Sequence, residues 1–126
     1  MEVITTVGED QKYIIITVKG EIRSGDPKTL IQPLVEAYEL AAKLEIRKML
    51  LDMREARNVL GLLENYQIVN HTIAEESAID HYVQVALVVS RDDHSYDFGE
   101  SISRNAGFNV RLYRDRTQAL ASLLND

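Results

Sequence analysis

Residues 46–52 read Ile-Arg-Lys-Met-Leu-Leu-Asp, and this stretch decides the fold of the chain. An apolar run with a charged start and an acidic end is typical of a central strand that is covered on both faces. One long helical pattern precedes the stretch, and another follows it over residues 62–76. Because a helix that connects neighbouring strands of one sheet implies a crossover, the pattern predicts parallel connections around this segment.

The composition predicts one soluble domain that spans residues 1–126. Of these 126 residues, 45% are hydrophobic and 27% are charged, which is ordinary for a globular protein. The net charge of −6 argues against a partner that presents nucleic-acid phosphates. The chain has no cysteine, which excludes disulfides, thiolate metal sites and cysteine nucleophiles. We see neither a signal-peptide pattern nor an apolar run of the roughly 18 residues that a membrane span needs, and we therefore expect a cytoplasmic protein.

The N-terminal part of the chain predicts a β-hairpin. Residues 2–7 alternate weakly, residues 8–11 form a polar turn, and residues 13–18 are the densest β-branched run. Two strands joined by a short turn that contains glycine pair in the antiparallel direction. The strand pattern is interrupted again between Gly20 and Gly25.

The first helix is predicted from Asp26 and Pro27. Aspartate supplies a capping oxygen, and proline suits the first helical position. A wide apolar stripe at helical spacing then runs from Leu34 to Leu44. Pro33 leaves two possibilities open: it kinks this helix, or it marks the true first turn, with residues 26–32 as a separate short turn.

The remaining elements follow in alternation. We predict a loop over residues 53–61, a second helix over 62–76, a buried strand over 82–90, a third helix over 96–106 that ends at Gly107, a strand over 109–113 and a final helix that is capped by Asp115. The order ββαβαβαβα indicates an α/β fold, in which helices pack on a mixed sheet with an N-terminal hairpin.

Three stretches of the chain resemble a known family: Lys48–Asp52, Val85–Ser90 and Asn105–Asp115 with the Ala- and Leu-rich segment after it. Together with the element order, they are similar to the SpoIIAA-like family of small bacterial proteins, which is related in fold to STAS and CRAL-TRIO domains. The resemblance covers nearly the whole chain. It implies a non-enzymatic, homo-oligomeric regulatory or protein-interaction module, and as the alternative a CRAL-TRIO-like carrier of a small apolar or lipid-like ligand.

One departure from this family is visible in the sequence. STAS-type anti-sigma-factor antagonists carry an Asp-Ser-Ser/Thr-Gly loop after the central strand, and the Ser or Thr in this loop is phosphorylated. The corresponding stretch here, residues 52–61, contains no Ser, Thr or Tyr. We therefore expect no hydroxyl phosphorylation switch at this position.

A candidate binding site is predicted at the carboxyl ends of the parallel strands, where ligands of open α/β sheets bind. Arginines at these ends could form an anion-binding rim for a phosphate or lipid head group. Alternatively, they pair with nearby carboxylates in a solvated charge mosaic. The predicted ligand- or partner-binding residues are Asp52, Arg54, Arg57, Asn58, Leu60, Ser90, Arg91, Asp92, Arg114 and Arg116.

The apolar segment over residues 59–63 has more than one interpretation. Leu60 could contact a second subunit, a partner or an acyl chain, whereas Leu62 could simply begin the inner face of the second helix. No motif for catalysis, phosphate loops or metal binding is present, and the three histidines are scattered. We expect no enzymatic activity, no cofactor and no metal.

Overall fold

The computed structural model describes residues 1–23, 27–59 and 78–125, without the side chains of residues 27–30 and 98. The predicted second helix, over residues 62–76, and Leu60 lie outside the described residues. The elements are β1 (Glu2–Val7), a short 3-10 turn (Glu9–Gln11), β2 (Ile14–Ile22), α1 (Pro27–Lys43), β3 (Lys48–Asn58), β4 (Gln84–Val88), α2 (Asp97–Asn105), β5 (Asn109–Tyr113) and α3 (Arg116–Leu124).

The sheet has five strands in the order β1-β2-β3-β4-β5. The hairpin strands β1 and β2 are antiparallel, and every later neighbour pair is parallel. In the centre, Met49 pairs with Val85 and Leu51 with Leu87. The prediction that the two buried aliphatic segments lie side by side in the same direction is therefore confirmed.

The two faces of the sheet carry separate cores. On the face that we call the core face, Ile14, Ile16 and Met49 pack in one cluster with residues of α1 such as Ala37 and Ala41. On the opposite face, which we call the α3 face, Leu50, Ala86 and Val88 pack against Ala119 and Leu123 of α3. Alternate residues of a strand point to opposite faces, so a continuous aliphatic run supplies both cores.

The predicted loop after Asp52 is wrong, because β3 continues through Asn58. The pairing with β2 shifts between Thr17 and Lys19, which lie opposite Asp52 and Glu55. One extra residue in β3 makes a β-bulge, so Met53 and Ala56 are both buried although they stand at i and i+3. The bulge breaks the alternation on which the sequence prediction depended. The predicted start at Ile46 is also early, since β3 begins at Lys48.

The predicted end of the second hairpin strand at Val18 is wrong as well. Strand β2 runs on to Ile22 and pairs with the extension of β3. Gly20 lies inside this strand with φ of 95°, a conformation that glycine adopts without strain. Pairing with the long strand β3 thus lets β2 continue through Gly20, although glycine usually interrupts a strand pattern in a sequence.

The helices largely follow the predictions. Helix α1 begins at Pro27 and continues past Pro33, so a separate turn before Pro33 is wrong. Helix α2 ends just before Gly107, whose φ of 95° confirms the predicted left-handed position. Asp115 caps α3 by accepting hydrogen bonds from the backbone N–H groups of Thr117 and Gln118, at 2.8 and 3.2 Å. Among the described helices, none is both long enough and apolar enough to cross a membrane.

Candidate functional site

Asp52 and Arg54 form an ion pair near the centre of the sheet. Nε and Nη2 of Arg54 donate to the two carboxylate oxygens of Asp52 at 2.9 and 2.8 Å, and the backbone N–H of Arg54 donates at 3.1 Å. Burial alone would raise the pKa of Asp52. The hydrogen bonds from Arg54 and the charges of Arg54 and Arg116 outweigh burial and hold this pKa below its ordinary value. The carboxylate is therefore ionised, and its charge is compensated within the chain.

The extension of β3 beyond the end of β4 forms one wall of an open groove. Strand β4 ends where Val88 pairs with Asp52, so the following residues of β3 face the turn after β4 instead. The hydroxyl of Ser90 donates to the carbonyl oxygen of Arg54 at 2.8 Å and joins this turn to β3. The groove has a volume of about 440 Å³ and is lined by Arg54, Glu55, Ala56, Arg57, Ser90, Asp92 and Asp93.

Tyr96, which follows the turn after β4 and was not among the predicted site residues, also bonds to the β3 extension. Tyr96 is buried, and its hydroxyl donates to the carbonyl oxygen of Ala56 at 3.4 Å. Burial, together with the negative charge of Asp93, raises the pKa of Tyr96. The phenol therefore stays a neutral hydrogen-bond donor. The sequence feature that could have indicated this role is a large aromatic residue at the start of the predicted third helix.

The turn itself is closed by its own side chains. Oδ1 of Asp93 accepts hydrogen bonds from the backbone N–H and the hydroxyl of Ser95, at 2.9 and 2.6 Å. The backbone N–H of Asp93 also donates to the carbonyl oxygen of Ser90 at 3.1 Å. These bonds fix the backbone of the turn beside β3.

Arg114 does not line the groove, although the sequence prediction grouped it with Arg54 and Arg57. Its Nη2 lies 2.9 Å from Oδ1 of Asp97, 3.1 Å from the carbonyl oxygen of Asp93 and 3.0 Å from Nδ1 of His94. Arg114 thus ties the β5–α3 connection to the first turn of α2. Its position between these partners is that of a structural tether.

The other predicted site residues are spread around the groove. Arg91 is exposed in the turn after β4, whereas Arg116 is half-buried at the start of α3. Asn58 ends β3 opposite Ile22, a buried residue, and therefore lies on the core face. The structure brings Arg54, Arg57, Ser90 and Asp92 into one groove. It does not bring all five arginines into one rim.

The groove carries charges of both signs. Arg54 and Arg57 face the carboxylates of Glu55, Asp92 and Asp93, and Arg54 is already paired with Asp52. Glu55 in turn lies 3.6 Å from Lys19 on the neighbouring strand. This arrangement matches the charge-mosaic interpretation better than an anion-binding rim. Within residues 1–23, 27–59 and 78–125, no three His, Cys, Asp or Glu side chains are placed to hold a metal ion.

Comparison with known proteins places this geometry in a fold. No protein-family model and no curated protein matches the chain. A solved anti-sigma factor antagonist from Mycobacterium paratuberculosis superposes with a TM-score of 0.58 at 16% identity, over 99% of this chain and 96% of the other. An uncharacterised protein from Shewanella loihica, described as having a SpoIIAA-like fold, gives 0.54 at 15% identity, over 97% and 92%. As the sequence resemblance predicted, the chain has the SpoIIAA-like fold.

Proposed function

We propose that this protein is a non-enzymatic regulatory module of the STAS type, which binds another protein through the groove between β3 and the turn after β4. The observation that carries the proposal is the mixed charge of this open groove, which contains two arginines and three carboxylates. In protein interfaces, complementary charges of both signs increase the specificity of binding and raise the rate of association. The absence of enzymatic activity and a cytoplasmic, homo-oligomeric state are parts of the same proposal.

The internal pairing of the arginines favours a protein over a phosphate as the partner. A phosphate site concentrates unpaired cations and backbone N–H groups. Here Asp52 binds Arg54 in a bidentate pair, and Asp97 binds Arg114 at 2.9 Å. A phosphate would have to displace these carboxylates or accept their repulsion, whereas a protein surface can match both signs.

The walls of the groove are ordered before any partner arrives. Ser90 and Tyr96 both donate to carbonyl oxygens of the β3 extension. A binding surface that is already held in shape loses less conformational entropy on association. The extension contains no hydroxyl residue from Asp52 to Asn58, so we propose that binding here is not switched by phosphorylation of these residues.

The class of partner to try first comes from the structural comparison. One neighbour in fold is described as an anti-sigma factor antagonist. An anti-sigma factor from the protein's own host is therefore the first candidate, and proteins that co-purify with the chain are the second.

The test reverses the charge of one groove residue. Arg57→Glu should weaken binding of a partner isolated from the host by at least tenfold, about 1.4 kcal/mol, in isothermal titration calorimetry with both proteins purified. Arg47→Glu makes the same charge change at an exposed residue before β3, at the other end of the strand, and should leave the affinity unchanged. Equal affinities for both variants would show that the groove is not the interface.

The alternative is the lipid-like carrier. It is favoured by a second groove of about 310 Å³, whose apolar lining includes Tyr38, Ala41, Ile46 and Val83. A carrier site is typically an enclosed apolar pocket of about 300 Å³ or more. This groove opens to solvent and is also lined by Glu45, Arg47 and Asp80, so it supports the carrier less well. Native mass spectrometry of untagged protein from its own host separates the two functions, because a carrier retains a lipid-sized adduct.

A further inference from the structure

Strand β1 directs one row of its backbone groups away from β2, at the edge of the sheet. The backbone N–H of Gly8 donates to the carbonyl oxygen of Tyr13 at 2.8 Å, and this bond shows which residues of β1 face β2. In an antiparallel pair the direction alternates, so the backbone groups of Val3, Thr5 and Val7 point outward. None of the described residues forms a hydrogen bond with these outward backbone groups.

Within residues 1–23, 27–59 and 78–125, the β1 edge also lacks the features that normally protect an edge strand. Proteins block such edges with proline, lysine, a bulge or a covering segment. The sequence of β1 is Glu-Val-Ile-Thr-Thr-Val, and its pairing with β2 runs without a register shift from Glu2 to Val7. An unprotected, regular edge is a template for a further strand.

The exposed apolar side chains of this segment are arranged symmetrically. Met1, Ile4 and Val7 are each 39% exposed, and Ile4 stands midway between the other two. If a second copy of β1 pairs in the antiparallel direction about a two-fold axis at Ile4, Ile4 lies opposite its own copy and Met1 lies opposite Val7. The same register places Glu2 opposite Thr6, so no like charges meet.

This register also satisfies the open backbone groups. It places Val3 of one copy opposite Thr5 of the other, and both residues direct their N–H and C=O groups outward. The side chains of opposed residues then fall on the same face of the sheet, as pairing requires. Hydrogen bonding and apolar burial therefore agree on one geometry.

We propose that β1 is the homodimer interface of this protein, formed with a second copy in the antiparallel direction and centred on Ile4. The two sheets then join into one sheet of roughly ten strands, which is within the usual range. The inference specifies the homo-oligomeric state of the proposed function. It is separate from partner binding at the groove, because β1 contributes no residue to the groove lining. Either proposal can therefore fail while the other stands.

A cysteine cross-link tests this register directly, since the chain contains no other cysteine. At the Ile4 position, the two Cα atoms are expected to lie about 4.5 Å apart, which suits a disulfide. Ile4→Cys should therefore give a covalent dimer under mild oxidation, as seen on non-reducing gels. The control is Thr6→Cys, which places an exposed cysteine on the same face. Its two copies lie about 13 Å apart in the proposed register, so it should stay uncrosslinked.

A charge substitution tests the same interface without chemistry. Ile4→Lys sets two ammonium groups opposite each other, and sedimentation velocity should show half the mass of the wild-type dimer. Thr6→Lys adds the same charge opposite Glu2 of the second copy and should leave the dimer intact. Circular dichroism melting of each variant monitors the fold.

Three results would overturn the proposal. The first is a wild-type protein that sediments as a monomer at high concentration. The second is equal cross-linking of Ile4→Cys and Thr6→Cys, which reports random collision. The third is a dimer that persists unchanged in Ile4→Lys, because the interface would then lie elsewhere.

Discussion

The two edge strands of the sheet, β1 and β5, differ in what faces their outward backbone groups. At β5, the carboxylate of Glu100 on α2 accepts a hydrogen bond from the backbone N–H of Leu112 at 2.5 Å. At β1, the described residues provide no such partner for Val3, Thr5 or Val7. A side chain from a neighbouring helix thus occupies one edge, whereas no described residue bonds to the outward backbone groups of the other.

The β5 edge is closed because α2 is held tightly beside it. Gly107 makes the turn from α2 into β5 with φ of 95°, and the next residue, Phe108, is buried and stacks on the ring of His81 at 4.0 Å between centroids. The ion pair between Arg114 and Asp97 fastens the other end of α2. Because contacts at both ends fix the position of α2, the carboxylate of Glu100 is held close to β5.

The largest change in the free energy of unfolding is expected from a substitution in the turn between α2 and β5, at the closed edge. In Gly107→Ala, the new Cβ would lie 3.1 Å from Nδ1 of His81, and alanine is strained at this positive φ. We expect the free energy of unfolding to fall by about 2 kcal/mol in urea titrations. Gly99→Ala, inside α2, meets no atom within 4 Å and should raise stability by about 0.5 kcal/mol. Equal effects for the two variants would contradict this account of the turn.

A smaller effect is expected from removing the side chain that blocks the closed edge. Glu100→Ala leaves the N–H of Leu112 without its acceptor, which should cost about 1 kcal/mol in the free energy of unfolding. Hydrogen exchange of the Leu112 amide should accelerate, and light scattering should detect assemblies larger than those of the wild type. Glu100→Gln retains an acceptor oxygen and serves as the control. Unchanged exchange in Glu100→Ala would show that the carboxylate does not protect this edge.

An effect of similar size is expected away from both edges, at the Asp52–Arg54 pair. Asp52→Asn should lower the free energy of unfolding by about 1 kcal/mol at neutral pH, without changing the oligomeric state. Because the folded-state pKa of Asp52 is lowered, its stabilisation is present above the ordinary value near pH 4 and is lost as the pH falls through the folded-state pKa. The difference between wild type and variant in urea titrations should therefore shrink below about pH 4. A difference that is constant with pH would exclude this ion pair as its cause.

Local patterns in the sequence were sufficient for much of the fold. The aliphatic runs before Asp52 and Ser90 identified two neighbouring parallel strands, and the Asp115 cap and Gly107 located the boundaries of α3 and α2. These features depend on residues that are close in the chain. Alternation, capping and positive φ are read from a few consecutive residues, and for this reason they were visible without the structure.

The sequence by itself determined the two-sided sheet and its resemblance to the SpoIIAA-like fold, because strands that are buried on both faces have continuous aliphatic sequences. Only the tertiary structure decided that β3 continues past Asp52 through a bulge and that Arg114 pairs with Asp97 outside the groove. It also decided that Glu100 bonds to β5, while no described residue bonds to the outward backbone groups of β1. Each of these depends on a partner that is distant in the chain or displaced by one residue in register. Neither composition nor periodicity carries that information, because contact between distant residues is set by how the elements pack.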